Sequence, residues 1–429
     1  MTQTDSGHAD DPAKHGSAKA GGMHSRLLAR LTRPGILLVL AIVALWAYYV
    51  DSIQNTFPFL LTAQLKFHQL LSNLEPWQSR LKWVAPVEID DAAFWNPPLS
   101  GTQPTSRRYL ADLALAAAKA GAAVIVIDFQ LKSPYSAPGD DAVRKQDNEY
   151  LLHAVREITK KGVPVILSCG LVATEKEEWQ REPNIFPDDA LPQGARIGYI
   201  NVPFDPRHIP LRVRAREWDG SSMKEFSSLA LQSVDAYEVS RGMTPRTVQN
   251  EKIKRAMEEG KFVYGRFVKV SEFHKIGASD LVRGRVDKTI CCGDHIVLIG
   301  GTWHQFGVNR GPIVDAHPSP VGTIPGLYLH ANYVEALLDE KYKHEVPHWF
   351  AILLDLGLAL MMYVGFDLAD PRGWRIPLVL IVMIVPLSVA YLLFATSGLY
   401  LDCIMPLAAC IFDLAVEHYT ELRRRAKNH

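Results

Sequence analysis

The sequence predicts an α/β domain with a largely parallel or mixed sheet, held outside a membrane by an α-helical bundle of four spans. Three observations predict this. Residues 86–338 alternate strand-like and helix-like stretches, and the run at 122–127 is apolar throughout. Uninterrupted apolar strands belong to parallel sheets covered on both faces. Four further apolar runs, at 35–51, 348–366, 376–396 and 399–416, approach the roughly 20 residues that a helix needs to cross hydrocarbon. The basic residues beside those runs all agree on one orientation.

Residues 1–34 read as a disordered cytoplasmic tail, polar and without apolar periodicity. Arg26, Arg30 and Arg33 precede the first run, which ends Trp46-Ala47-Tyr48-Tyr49-Val50 rather than in the small residues of a cleavage site. Aromatics at its outer end suit a membrane interface, so this run reads as an uncleaved anchor. Arg372 and Arg375 lie between the second and third runs, Arg423, Arg424, Arg425 and Lys427 follow the fourth, and the loop at Ser397 and Gly398 has no basic residue. Both termini are therefore expected inside, with residues 52–347 periplasmic and residues 417–429 a short cytoplasmic tail.

The external part opens with Leu60, Ala63, Phe67, Leu70, Leu71 and Leu74 at helical spacing. Strands are expected at 87–90, 122–127, 163–167 and 295–299, with helices over 107–120, 141–161, 227–237, 247–259 and 330–338. The β-helix-β alternation implies right-handed crossovers. Residues 195–202 and 209–215 flank Asp205-Pro206-Arg207-His208 and read as a hairpin.

Composition excludes little. Lys+Arg and Asp+Glu both number 46, which gives no electrostatic case for nucleic acid. Five cysteines are too few for a disulfide scaffold. Cys291 and Cys292 have no evident partner, because Cys169 follows its strand whereas Cys291 precedes its own. No cofactor motif is present. His344-Glu345-Val346-Pro347-His348 matches the zinc-protease string, but that chemistry needs both histidines on one continuous helix. Pro347 fits the first turn of the following helix and leaves His344 outside it. No metal set and no catalytic set is read.

Acidic residues follow expected strands: Asp90 and Asp91 after the first, Asp128 after the second. Gly300 and Thr302 follow the last. Ligands collect at such carboxyl ends in parallel sheets, while Asp also caps helices and ends strands. Within the three later apolar runs, Asp355, Asp402 and Asp413 are the charges. Asp355 falls about 9 Å inside its helix, Asp402 lies at a matching outer depth, and Asp413 sits toward the cytoplasmic end. Such residues face protein or water, as helix contacts or a proton path.

From residue 294 onward the motifs become specific. Ile296-Val297-Leu298-Ile299-Gly300, Asp315-Ala316-His317-Pro318-Ser319-Pro320, Pro325-Gly326 and His330-Ala331 follow in order. Upstream stand Glu88-Ile89-Asp90-Asp91, the string Lys119-Ala120-Gly121 leading to Asp128, and Gly198-Tyr199-Ile200-Asn201. Together with one run, an external domain and three runs, this resembles the type-2 CHASE family of bacterial extracellular sensory domains, over about residues 35–418. The signature includes Asp315 and His330, which join the candidate ligand-binding residues. The sequence departs from the family pattern at Pro104-Thr105-Ser106-Arg107 and in an insertion between Gly300 and Asp315. Relatives continue into cyclase or kinase output domains, whereas no such domain is expected after the fourth run here. The resemblance therefore implies a receptor subunit in the bacterial inner membrane, reading an unknown small-molecule or protein signal for a separate effector. A structural subunit of an envelope complex is a second expectation. A metal-dependent hydrolase using Asp90, Asp91 and Asp128 is a third.

Overall fold

The computed structural model describes residues 58–74, 81–132, 141–286, 293–347 and 375–401, apart from a few short stretches within them, and a handful of isolated positions beyond. The chain divides into two units, one of residues 1–58, 346–390 and 402–429, and the other of residues 59–345 and 391–401. The second unit carries the sheet.

After helix α1 (Pro58–Leu74) come β1 (Val84–Ile89), α2 (Asp91–Trp95), α3 (Arg107–Lys119), β2 (Val124–Gln130), α4 (Asp141–Lys160) and β3 (Val165–Cys169). A short excursion, β4 (Leu171–Ala173) and β5 (Trp179–Arg181), precedes β6 (Ala195–Tyr199). Then follow β7 (His208–Ile209), β8 (Arg212–Arg216), β9 (Met223–Ser227), α5 (Leu229–Ser240), α6 (Glu251–Glu258), β10 (Val263–Tyr264), β11 (Ile276–Gly277) and α7 (Ala278–Val282). The domain closes with β12 (Ile296–Gly301), β13 (Ala316–His317), β14 (Ile324–Pro325), α8 (Gly326–Leu338) and β15 (His344–Glu345). Beyond lie α9 (Arg375–Leu392), a π-helical turn (Leu393–Ser397) and β16 (Leu399–Tyr400).

The main sheet has the order β11-β1-β12-β2-β3-β6, and every pairing in it is parallel. Side chains alternate across a strand, and both faces are covered. Val124, Val126, Ile296 and Leu298 pack with α5, α6 and α8 on one side. Ile125, Ile127, Val297 and Ile299 pack with α3, α4 and α7 on the other. This double coverage explains why the strands read as unbroken apolar runs.

Side-chain oxygens cap several helices: the Ser106 hydroxyl accepts from Tyr109 N at 3.4 Å and that of Ser228 from Leu231 N at 3.1 Å. Each satisfies one of the amide donors that a helix start leaves unpaired.

Several expectations are corrected. Residues 195–202 and 209–215 do not form a hairpin. β6 joins the main sheet beside β3, whereas β8 lies in a separate sheet of order β4-β5-β8-β9. An alternating strand serves a parallel edge as well as a hairpin, and Gly198 settles its place here. A Cβ there would lie 2.7 Å from Leu229 Cα, so only glycine lets α5 approach β6 this closely. The actual hairpin is β8–β9, Arg212 opposite Ser227 and Arg216 opposite Met223. Helix α8 starts at Gly326, so His330 lies inside it rather than opening it. Asp128 and Cys169 belong to their strands instead of following them. α6 fills only the later part of the helix expected over 247–259.

His344 and Glu345 form a strand, paired in parallel with Leu399 and Tyr400. The zinc-protease string therefore lacks its helix. The same pairing removes Leu399 and Tyr400 from the start of the expected fourth span. Among the described residues no helix is long and apolar enough to cross a membrane. The run at 35–51, most of 348–366, and residues 402–416 lie outside those residues, as do Asp355, Asp402, Asp413, Cys291 and Cys292.

Candidate functional site

Two-residue alternation carries three positions on neighbouring strands to the same face. On β1, Val84 and Glu88 share a side; on β12, Ile296, Leu298 and Gly300 do; on β2, Val124, Val126 and Asp128 do. Glu88 is the register partner of Gly300, and Ile299 of Ile127. The carboxyl ends of these strands thus present a row, acid-glycine-acid, beneath the first turns of α8. Gly300 is required by that helix: a Cβ there would stand 2.8 Å from Leu327 Cδ1.

α8 supplies the opposing groups. The Tyr328 hydroxyl donates to Glu88 Oε1 at 2.5 Å. Lys275 Nζ lies 3.9 Å from the same carboxylate and 5.8 Å from the Tyr328 ring centre. His330 Nε2 stands 3.9 Å from Asp128 Oδ1, with side chains only 3% and 5% exposed. Among the described residues the buried His330 Nδ1 has no hydrogen-bond partner, although the Ile200 backbone engages the imidazole. The turn before α8 completes the cluster. Asp315, at φ +55°, accepts the Gly326 amide on its carbonyl at 2.8 Å, and its Oδ1 lies 2.7 Å from His317 Nε2. A Cβ on Gly326 would run into the Asp315 carboxylate, which would have to swing aside.

Burial governs the protonation of the central pair. It pushes the Asp128 carboxyl up to about 8, helped by the charge of Asp315 and opposed by His317. It pulls His330 down to about 4, against the charge of Asp315. At neutral pH the two groups face one another as a carboxylic acid and a neutral imidazole. Such a pair can donate from Asp128 and accept or donate at His330, and it carries no net charge in its apolar seat.

Of the residues singled out in the sequence, Asp128, Gly300, Asp315 and His330 come together here. Asp90 and Asp91 do not. Asp90 caps α2, its Oδ1 accepting from Ala93 N at 2.8 Å. Asp91 pins the loop after β12, accepting from His304 N at 2.7 Å and Asn309 N at 2.8 Å and meeting His304 Nδ1 at 2.8 Å. Against some burial, these bonds hold its carboxyl below the usual range. Thr302 contributes its backbone, donating to Ile89 O at 3.0 Å. The three carboxylates proposed for a hydrolase therefore do not assemble, and among the described residues no group of three or more His, Cys, Asp or Glu could hold a metal ion. Sequence reading missed Glu88, Tyr328 and His317. Extending the alternation of Val84 to Glu88 would have found the first.

A second constellation lies elsewhere in the domain. Arg207, 2% exposed, donates from Nη1 to the Tyr400 hydroxyl at 2.7 Å and from Nη2 to Gln64 Oε1 at 3.3 Å, and its Nε reaches both Asp205 oxygens at 2.9 Å. Its guanidinium lies over the Tyr264 and Tyr400 rings, 5.5 and 5.2 Å from their centres. Burial opposes the charge, but Tyr400 and Asp205 outweigh it and keep Arg207 cationic. Nearby, His68 meets Gly265 O at 2.9 Å and is pulled down to about 3 by burial and by Arg207. Lys343 Nζ donates to Phe394 O at 3.0 Å, and Tyr391 to Leu74 O at 3.1 Å. One buried cation thus ties α1 and the segment 391–401 to the α/β core.

This architecture agrees with a comparison of the chain against known families. No curated protein and no solved structure matches it. The CHASE2 domain profile matches residues 37–366, more than three quarters of the chain. With that extent of match, the chain belongs to the CHASE2 domain family, whose domains are sensory rather than catalytic.

Proposed function

We propose that this chain is a receptor subunit of a bacterial inner membrane, whose periplasmic domain reads a signal at the carboxyl ends of β1, β12 and β2. The observation that carries the reading is the Asp128–His330 pair, nearly fully buried yet without a close mutual hydrogen bond, with His330 Nδ1 unmet among the described residues. Buried polar groups are ordinarily satisfied, and leaving one unmet costs about 1–3 kcal/mol. A polar ligand, or a rearrangement of α8 that brings the two groups together, would recover that energy. The segments held by Arg207 supply a route outward, since α1 follows the first apolar run and residues 391–401 join the end of the third to the start of the fourth. The signal passes along them to a separate effector protein.

The test uses the full-length protein in detergent, screened by thermal unfolding against small polar metabolites. Asp128→Leu keeps the branched outline of the side chain and removes the polar group, so it should fold as the wild type does. At least one compound is expected to stabilise wild type by several degrees and to have no effect on this variant. If Asp128→Leu unfolds, or if every stabilising compound acts on both proteins alike, the pair is structural and the reading fails.

A further inference from the structure

A cavity of about 500 Å³ lies beside the carboxyl ends of β3 and β6, outside the β1-β12-β2 row. The register of the smaller sheet decides which side chains face it. Trp179 pairs with Ala173 of β4 and with Ala215 of β8. Paired residues share a face and neighbours along a strand alternate, so Leu171, Trp179, Val213 and Ala215 all lie on one side. Leu171, Val213 and Ala215 pack there with Cys169 and Tyr199, which end β3 and β6. Arg212 and Arg214 take the opposite side, where Arg212 reaches Glu225 at 3.5 Å. The cavity therefore meets Val213 and the backbone of β8 rather than two guanidinium groups, and no Asp, Glu or Lys lines it.

What remains is uncharged and mostly apolar. Phe204 and Met257 complete the wall. Trp179 and Phe204 stay 42% and 58% exposed, two rings that folding leaves in water at the mouth. The size and lining are those of a small-molecule site, largely apolar with a few placed polar groups. The Asn201 amide is already spent, since it donates to Leu171 O and accepts from Leu171 N, both at 2.7 Å. That brace fixes the loop after β6 against the start of β4, so the floor is formed before anything binds, which lowers the entropic cost of binding. Tyr199 is the placed polar group. Its side chain is buried and lines the cavity, and its hydroxyl makes no hydrogen bond among the described residues. Burial pushes its ionisation well up, so the hydroxyl keeps its proton and can donate it.

We propose that this cavity binds a small uncharged molecule with a flat apolar body and a carbonyl at one end: the body between Trp179 and Phe204, the carbonyl accepting from the Tyr199 hydroxyl. Covering the two exposed rings removes apolar surface from water, which drives the binding. The single hydrogen bond sets the orientation. An anion is disfavoured, because it would give up its hydration for a lining with no cation turned toward it. The proposal concerns residues apart from Asp128 and His330 and stands or falls separately from the reading of that pair.

Isothermal titration of the full-length protein in detergent, with empty micelles as the blank, tests it with two probes of one shape, 2-acetonaphthone and 2-naphthoate. Saturable binding of 2-acetonaphthone at one site per chain is expected, at least tenfold tighter than 2-naphthoate. Trp179→Ala, a change at the exposed rim, should weaken 2-acetonaphthone at least tenfold. Tyr199→Phe keeps the ring, removes only the hydroxyl, and should weaken it about three- to tenfold, the worth of one neutral hydrogen bond. Absence of saturable binding to wild type beyond the micelle blank overturns the proposal. So does 2-naphthoate binding as tightly as 2-acetonaphthone, or an affinity for 2-acetonaphthone that is unchanged in either variant.

Discussion

Asp128 in β2 and Asp90 just past β1 carry the same side chain at the same end of one sheet, and their surroundings give them opposite characters. Asp90 accepts an amide at a helix start, and losing such a cap costs about 1 kcal/mol. Asp128 is enclosed, and its proton is part of the folded state up to about pH 8. The pH consequence follows from linkage. Between its ordinary value of 3.8 and about 8, folded Asp128 holds a proton that the unfolded chain releases, so stability from this group falls as pH rises. Between about 4 and 6.5, unfolded His330 binds a proton that the folded form refuses, so its contribution rises with pH. The two oppose each other below 6.5, and above it only the fall remains. Thermal unfolding at a series of pH values should therefore show stability declining from pH 6.5 to 8, and Asp128→Asn should flatten that decline. A decline that persists unchanged in the variant would show that other groups cause it.

Among elements, the strands of the central sheet were legible because each is buried on both faces and therefore carries an unbroken apolar run. Helices α3 and α4 were legible for the complementary reason, a single apolar face against that sheet. The site was legible only in part. Asp128, Gly300, Asp315 and His330 could be named from strand ends and ordered motifs, but adjacency in sequence does not say which face a residue takes. This left Asp90 and Asp91 open between ligand site and helix cap, and it hid Glu88. The Arg207 constellation was not legible at all. Asp205-Pro206-Arg207-His208 reads as a polar turn, and the partners Gln64 and Tyr400 lie far along the chain in both directions. Its energetics are testable. Arg207→Met leaves Asp205 buried without its counter-ion and should cost about 3–5 kcal/mol. Adding Asp205→Leu removes that stranded charge, so the double variant should be more stable than Arg207→Met alone. Urea unfolding of wild type, Arg207→Met, Asp205→Leu and the double variant measures this, and simple additivity of the two substitutions would mean that the pair is not coupled.

For the whole molecule, the arrangement of basic residues makes a claim about sidedness that fusions can check. A cytoplasmic reporter joined after His429 should be active and a periplasmic one there silent, while an insertion at Gly220, in the turn between β8 and β9, should report periplasm. The opposite pattern at either position would overturn the charge argument. Purification from the native membrane should recover an effector protein with the chain, and an effector that still co-purifies with Arg207→Met would be held by contacts outside the Arg207 cluster.

The position of β12 bears on how the domain is made. Val84 pairs with Ile296, and Ile296 with Val124, so the last long strand to be synthesised occupies the middle of the sheet. Until it arrives, β1 and β2 have no partner between them and both carry open, apolar edges, the kind that invites misassembly. No amino-terminal fragment ending before β12 can close this sheet. Folding must therefore wait until nearly the entire domain has emerged, and its pairing of distant parts of the chain places it among slow folders. During that interval the nascent chain depends on being shielded from its neighbours.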